Sequence, residues 1–141
     1  MLDVMIHKFA VDCSMRNIHF EYDVKLCNLN EVEDIDLVAI LGNLIDNAVS
    51  AAEKSREKRV SLATARRNAY SVIVISNSCD AQPKTSGTHL VTSKENKSAH
   101  GFGLKSVRKT LRKYNGDYEW TYDANRCLFV VTAMVGSHSP V

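Results

Sequence analysis

Apolar residues in the first fifteen positions recur in steps of three and four: Leu2, Met5, Ile6, Phe9, Ala10 and Cys13. This spacing predicts a helix over residues 2–15. The period then changes to two. Within Asn17 to Leu26, Ile18, Phe20, Tyr22 and Val24 alternate with polar neighbours, the pattern of a strand with one face covered. Asn28 to Asp34 is polar and turn-like. From about Asp36 to Lys58 a long helix carries Leu37, Val38, Leu41, Leu44, Ile45, Ala48, Val49 and Ala52 on one broad stripe. Two strands follow, Arg59 to Arg66 and Tyr70 to Asn77, and the short turn Arg67-Asn68-Ala69 makes them an antiparallel hairpin. Ser78 to His100 has no period and is rich in Ser, Thr, Lys and Asn; a stretch of that length inside a compact domain is more often a functional lid than a connector. A helix over Gly103 to Tyr114 shows Leu104, Val107 and Leu111 on one side and ends at Asn115-Gly116. Asp117 to Tyr122 and Cys127 to Val135 form a last hairpin.

This order predicts an α+β fold, a two-layer sandwich with a mostly antiparallel sheet and helices on one face. The chain shows no internal repeat and no linker, so the expectation is a single domain over residues 1–141 with a lid at about 78–100. Composition changes little: 45% apolar and 24% charged residues are ordinary for a soluble globular protein. A net charge of +2 is too small to argue for a nucleic-acid partner by itself. No apolar run approaches the roughly 20 residues of a membrane span, and the N-terminus lacks the basic-then-apolar pattern of a secretory signal. Cys13, Cys27, Cys79 and Cys127 form no CxxC pair, which fits buried thiols in a reducing compartment. The expected location is cytoplasmic, as a whole protein or as the cytosolic piece of a longer one.

Candidate chemistry begins with Asn43 and Asn47. At about 100° per residue, Asn43, Asn47, Ser50 and Lys54 share a narrow sector nearly opposite the apolar stripe. A solvated face explains any one of them. Asparagine is nevertheless a poor helix former where Glu, Lys or Gln would serve. An amide oxygen can complete the shell of Mg²⁺, which prefers oxygen ligands. The second feature is His100-Gly101-Phe102-Gly103-Leu104. Glycine lets backbone approach a ligand, and the free N–H groups of a helix's first turn favour an anion. The turn matches neither the Rossmann nor the P-loop pattern.

In this order, LGNLIDNA, the hairpin ending in a polar residue, the lid, and HGFGLKSV followed by YNG resemble the Bergerat-type ATP-binding fold. That fold is shared by gyrase, heat-shock-90 chaperones, mismatch-repair ATPases and histidine kinases. LGNLIDNA resembles the N box of histidine kinases and HGFGLKSV their second glycine box, with the nearest likeness to sensor kinases of the peptide quorum-sensing type. The resemblance spans about Leu2 to Val135. It implies that ATP and Mg²⁺ are the cofactors, that Asn47 coordinates Mg²⁺, and that Asn43 orients the phosphates. It further implies that Ala51 borders the nucleotide and that Gly101, Gly103 and Leu104 shape the pocket. Lys94 resembles a lid lysine near the phosphates. Asn77 stands where most of the superfamily has an aspartate that accepts from the adenine amino group. Two features depart from the pattern. The Asp-x-Gly-x-Gly box is replaced by Asn77-Ser78-Cys79-Asp80, so the acceptor is not charge-assisted; Asp80 is an alternative acceptor. Ser50 stands where many histidine kinases have a lysine.

Position 43 separates the members of the superfamily. Hydrolytic members resemble one another in carrying a glutamate there, whereas asparagine cannot act as a general base. This favours aligning ATP for transfer to another group, which needs mainly positioning and charge neutralisation. His7 lacks the acidic neighbour of an acceptor histidine, and His19 reads as a surface residue. The expected partners are therefore an upstream dimerisation segment carrying the acceptor histidine and a response regulator, in a membrane-anchored dimer. One alternative is a nucleotide-sensing or dimerisation module of the same fold without kinase activity. Another is a nucleic-acid-binding domain using the basic face of Lys105, Arg108, Lys109, Arg112 and Lys113; a solvated face explains those residues more simply, and no nucleic-acid partner is expected.

Overall fold

The computed structural model describes residues 1–25, 29–83, 85–86, 89–90 and 102–136. In chain order the elements are α1 (Leu2–Met15), β1 (His19–Val24), a 3₁₀ turn (Leu29–Glu31), α2 (Asp34–Glu53), β2 (Arg59–Arg67), β3 (Tyr70–Ser78), β4 (Thr85–Ser86), β5 (His89–Leu90), α3 (Phe102–Arg112), β6 (Asp117–Asp123) and β7 (Leu128–Val135). Five strands form one sheet in the order β1-β2-β3-β7-β6, and β4 and β5 pair as a small separate ladder. Within the larger sheet β1 runs parallel to β2, and the other neighbours are antiparallel. The expected α+β sandwich with a mostly antiparallel sheet is what the chain forms. The parallel pair was not foreseen, because period-two alternation carries no direction.

The core follows the alternation of the strands. Leu62, Ile73, Ile75, Val131 and Ala133 are all buried in the core cluster, and they meet Ile40, Leu41, Leu44 and Ile45 of α2, Phe9 and Cys13 of α1, and Val107 and Leu111 of α3. By length and composition alone α2 could cross a membrane. Here it is the core helix, buried along Leu37, Ile40, Leu41, Leu44, Ile45, Ala48, Val49 and Ala52. No uninterrupted apolar run predicted this, because Asn43, Asp46 and Asn47 break the run without breaking the helix. The strand over β1 is narrower than its pattern: Tyr22 and Val24 lie on the inner side by register but are exposed, at 58% and 40%, where the edge strand outruns the helices.

The helix ends are set by backbone chemistry. α2 stops at Glu53, short of Lys58, because Ser55 turns back on it: its hydroxyl donates to the Ala52 carbonyl at 2.7 Å. α3 closes with Asn115 in the left-handed region at φ 55°. The Gly116 N–H donates to the Leu111 carbonyl and the Asn115 N–H to the Arg112 carbonyl, a Schellman ending. The roles within Asn115-Gly116 are thus divided. Asn115 supplies the turn, while Gly116 is required by proximity, since a Cβ there would meet the Met134 carbonyl oxygen at 1.9 Å.

Candidate functional site

The helix α2 carries Asn43, Asn47 and Ala51 one turn apart, and all are half-buried. The expected polar face is therefore the margin of the core rather than a solvated side, although Lys54 at its end is exposed. The Asn43 amide nitrogen donates to the Ala39 carbonyl at 2.7 Å. That bond engages one N–H of the amide nitrogen and directs the amide oxygen elsewhere, the arrangement an oxygen ligand or a water-holding group needs.

Asn77 lies at the end of β3, on the side of the sheet that faces the helices, between Val60 of β2 and Phe129 of β7. It is 3% exposed. Its amide nitrogen donates to the Ser78 carbonyl at 3.0 Å, which leaves the oxygen to accept. A neutral acceptor tolerates such burial more cheaply than a carboxylate would.

The end of α2 and the end of β3 are joined by a clamp that sequence reading missed. The Ser55 and Ser78 hydroxyls are 2.6 Å apart, tying the turn after α2 to the last residue of β3. The Ser78 hydroxyl accepts from the Arg59 N–H at 2.9 Å, and the Asp80 carboxylate accepts from the Arg56 N–H at 2.8 Å. Ala51 lies one turn before Ser55 on the helix, and Asn77 is the residue before Ser78 on the strand. Asp80, weighed as an alternative adenine acceptor, instead accepts from this backbone donor. The signal was present in Ser55 directly after an apolar helix, where a hydroxyl ends helices by local bonds.

The other end of α2 is fixed to α3. Asp36, buried at the start of α2, accepts from the Tyr114 hydroxyl at 2.5 Å and from Lys113 Nζ at 3.2 Å. The Tyr114 oxygen in turn accepts from the Glu33 N–H at 3.2 Å. Burial first, and then the bond to Asp36, pushes the Tyr114 hydroxyl above its ordinary range. Leu104, in the first turn of α3, is buried in the core cluster. Gly103 lies in that same turn, whereas Gly101 and Lys94 fall outside the described residues. α3 begins at Phe102, one residue before the expected Gly103.

The basic face of α3 is partly spent inside the chain. Lys113 pairs with Asp36, and Arg108 Nε donates to Asp117 at 2.8 Å while its guanidinium lies 4.4 Å from the Tyr118 ring centroid. Lys105, Lys109 and Arg112 are exposed. His7 and His19 are exposed as well, and His19 bonds Glu21 at 2.8 Å. Among the described residues no three His, Cys, Asp or Glu side chains gather into a metal site.

The fold is that of histidine kinase catalytic domains. The catalytic domain of histidine kinase ThkA superposes with a TM-score of 0.71 at 18% identity, covering 98% of this chain and 95% of that one. A second crystal form of the same domain gives 0.71 at 16% identity, over 96% and 92%. Acinetobacter baumannii histidine kinase AdeS gives 0.66 at 14% identity, over 98% of this chain and 66% of the AdeS chain. No curated protein matches the chain. The GHKL domain family model matches residues 32–135, from the turn before α2 to the end of β7, and the chain belongs to that family.

Proposed function

We propose that this domain binds Mg²⁺–ATP and positions the γ-phosphate for transfer to a histidine on a separate dimerisation segment, in two-component signalling. The observation that carries the reading is the asparagine pair: two half-buried amides one turn apart on the core helix, the first with its nitrogen bonded back to the helix at Ala39. In this reading Asn47 holds the ion through its amide oxygen, and Asn43 orients the phosphates and their water. Asn77 accepts from the adenine amino group through the oxygen its bond to Ser78 leaves open. Ala51 and Leu104 border the base, Gly101 and Gly103 admit the phosphates to the first turn of α3, and Lys94 reaches them from the lid. Bound magnesium supplies neutralisation of phosphate charge. Asparagine rather than glutamate at position 43 gives the site no base for water, which favours transfer over hydrolysis. The partners in this reading are an upstream phosphoacceptor segment and a response regulator. The whole protein would be a membrane-anchored dimer of the peptide quorum-sensing type, with this domain in the cytoplasm.

The runner-up keeps the fold and drops the kinase activity, motivated by the missing first glycine box and by the Asp80 carboxylate being bound to Arg56. A fluorescent ATP analogue titrated with and without Mg²⁺ tests the first step. Asn47→Ala is expected to remove the Mg²⁺-dependent part of binding, a loss of about tenfold or more. Equal binding by both proteins sinks the metal role of Asn47. Labelled phosphate arriving on an added dimerisation segment separates kinase from sensor.

A further inference from the structure

Cys79 follows the last residue of β3 and Cys127 precedes the first residue of β7. The β3–β7 register pairs Ser78 with Leu128, and one further step puts Cys79 opposite Cys127. The backbone bears this out: the Cys79 N–H donates to the Cys127 carbonyl at 2.8 Å. A single backbone bond of that length keeps the two Cα atoms roughly 5–6.5 Å apart, within the roughly 4.4–6.8 Å that a disulfide spans. Both thiols are free and half-buried, whereas Cys13 is sealed in the core at 0% exposure. Each sulfur rests on a carbonyl of its own loop, Cys79 Sγ on Ala81 at 3.0 Å and Cys127 Sγ on Ala124 at 3.7 Å. Thiols are weak donors, so rotation about χ1 releases them cheaply. Cys127 sits at φ 50° at the exit of a turn, where the backbone can adjust more readily than inside a ladder.

We propose that Cys79 and Cys127 are a reversible redox pair, joined by a hydroperoxide into a disulfide that staples the root of the lid to β7. One sulfur attacks the peroxide O–O bond and becomes a sulfenic acid, releasing water or an alcohol. The second sulfur displaces hydroxide from the first, forming the S–S bond and releasing water. The two sulfurs together give up two electrons, which the O–O bond receives, and a thiol reductant reverses the change. Burial, ahead of the neighbouring Asp80 and Cys127, raises the Cys79 thiol above its ordinary range, which keeps its sulfur protonated and its reaction with peroxide slow. The staple would act on a junction that already carries several restraints: Asn77 lies two residues before Cys79, Asp80 bonds Arg56 one residue after it, and the Tyr122 hydroxyl donates to the Cys79 carbonyl at 2.9 Å. Its effect on nucleotide binding rests on the ATP reading above; its formation does not.

The test treats the intact chain with hydrogen peroxide, maps its peptides without reduction, and titrates the fluorescent ATP analogue before and after. A Cys79–Cys127 linked peptide with a loss of about 2 Da is expected. Affinity should fall about fivefold and recover with dithiothreitol. Cys79→Ser and Cys127→Ser should each abolish the linkage and the redox response while melting like the reduced parent. Linkage through Cys27 or Cys13, or no linkage, overturns the pair. Linkage with unchanged affinity overturns the regulatory role. If the reduced chain binds no nucleotide, the ATP reading fails and the regulatory role falls with it, while the linked peptide still decides the staple.

Discussion

The two ends of α2 are held by opposite chemistries. At its start a carboxylate, Asp36, gathers the Tyr114 hydroxyl and the Lys113 ammonium and joins the helix to α3. At its end two neutral hydroxyls, Ser55 and Ser78, join the helix to the sheet. The first junction is charge-assisted and lies at the other end of the helix from Ser55. The second is neutral and stands beside the residues proposed to meet adenine. A charged group is costly to bury and rewards completeness, so it suits a place where nothing has to move or bind. Neutral hydroxyls exchange partners at smaller cost, which suits the margin of a pocket.

That contrast is open to direct measurement. The largest effect is expected from Tyr114→Phe, which removes the hydroxyl that both the Glu33 N–H and the Asp36 carboxylate engage. Urea unfolding should show a loss of about 2 kcal/mol. Because the folded Tyr114 ionises above its unfolded value, its contribution is present below the ordinary tyrosine range near pH 10. It disappears as pH rises through the folded value, so the gap between parent and Tyr114→Phe should narrow in strong alkali. Ser78→Ala should cost less, about 1 kcal/mol, but should weaken ATP-analogue binding, which Tyr114→Phe should leave near the parent value. Equal effects of the two variants on binding would erase the distinction between the ends. The smallest change is Gly42→Ala in the middle of α2. A Cβ there meets nothing within 4 Å, so thermal unfolding should show a gain of about 0.5–1 kcal/mol.

Legibility in the sequence followed the same division. Elements with a clear period, α1 and the β2–β3 hairpin, fell within a residue or two of expectation because burial alone sets them. Asp36 was passed over as a helix-start residue, although it stands four residues before Ile40 on the buried stripe, and only a tertiary partner explains an acid there. Partner identity is not periodic, so neither Tyr114 nor Ser78 could be assigned from spacing. Asn43 and Asn47 were legible because they contradict helix propensity, a local signal. Their half-buried setting was not, since it depends on where neighbouring elements stop. The apolar stripe of α3 was visible in Leu104, Val107 and Leu111, whereas its start shifted to Phe102 because end positions depend on loop bonding rather than on period.

In the order β1-β2-β3-β7-β6, β3 is the middle strand, registered along nearly its whole length with β2 on one side and β7 on the other. Its amide protons can reach solvent only when the whole sheet opens, so hydrogen exchange along Val72 to Asn77 reports global unfolding. Asn77 is therefore mounted on the strand whose amides are the most protected by pairing on both sides, one residue from the point where the regular sheet ends.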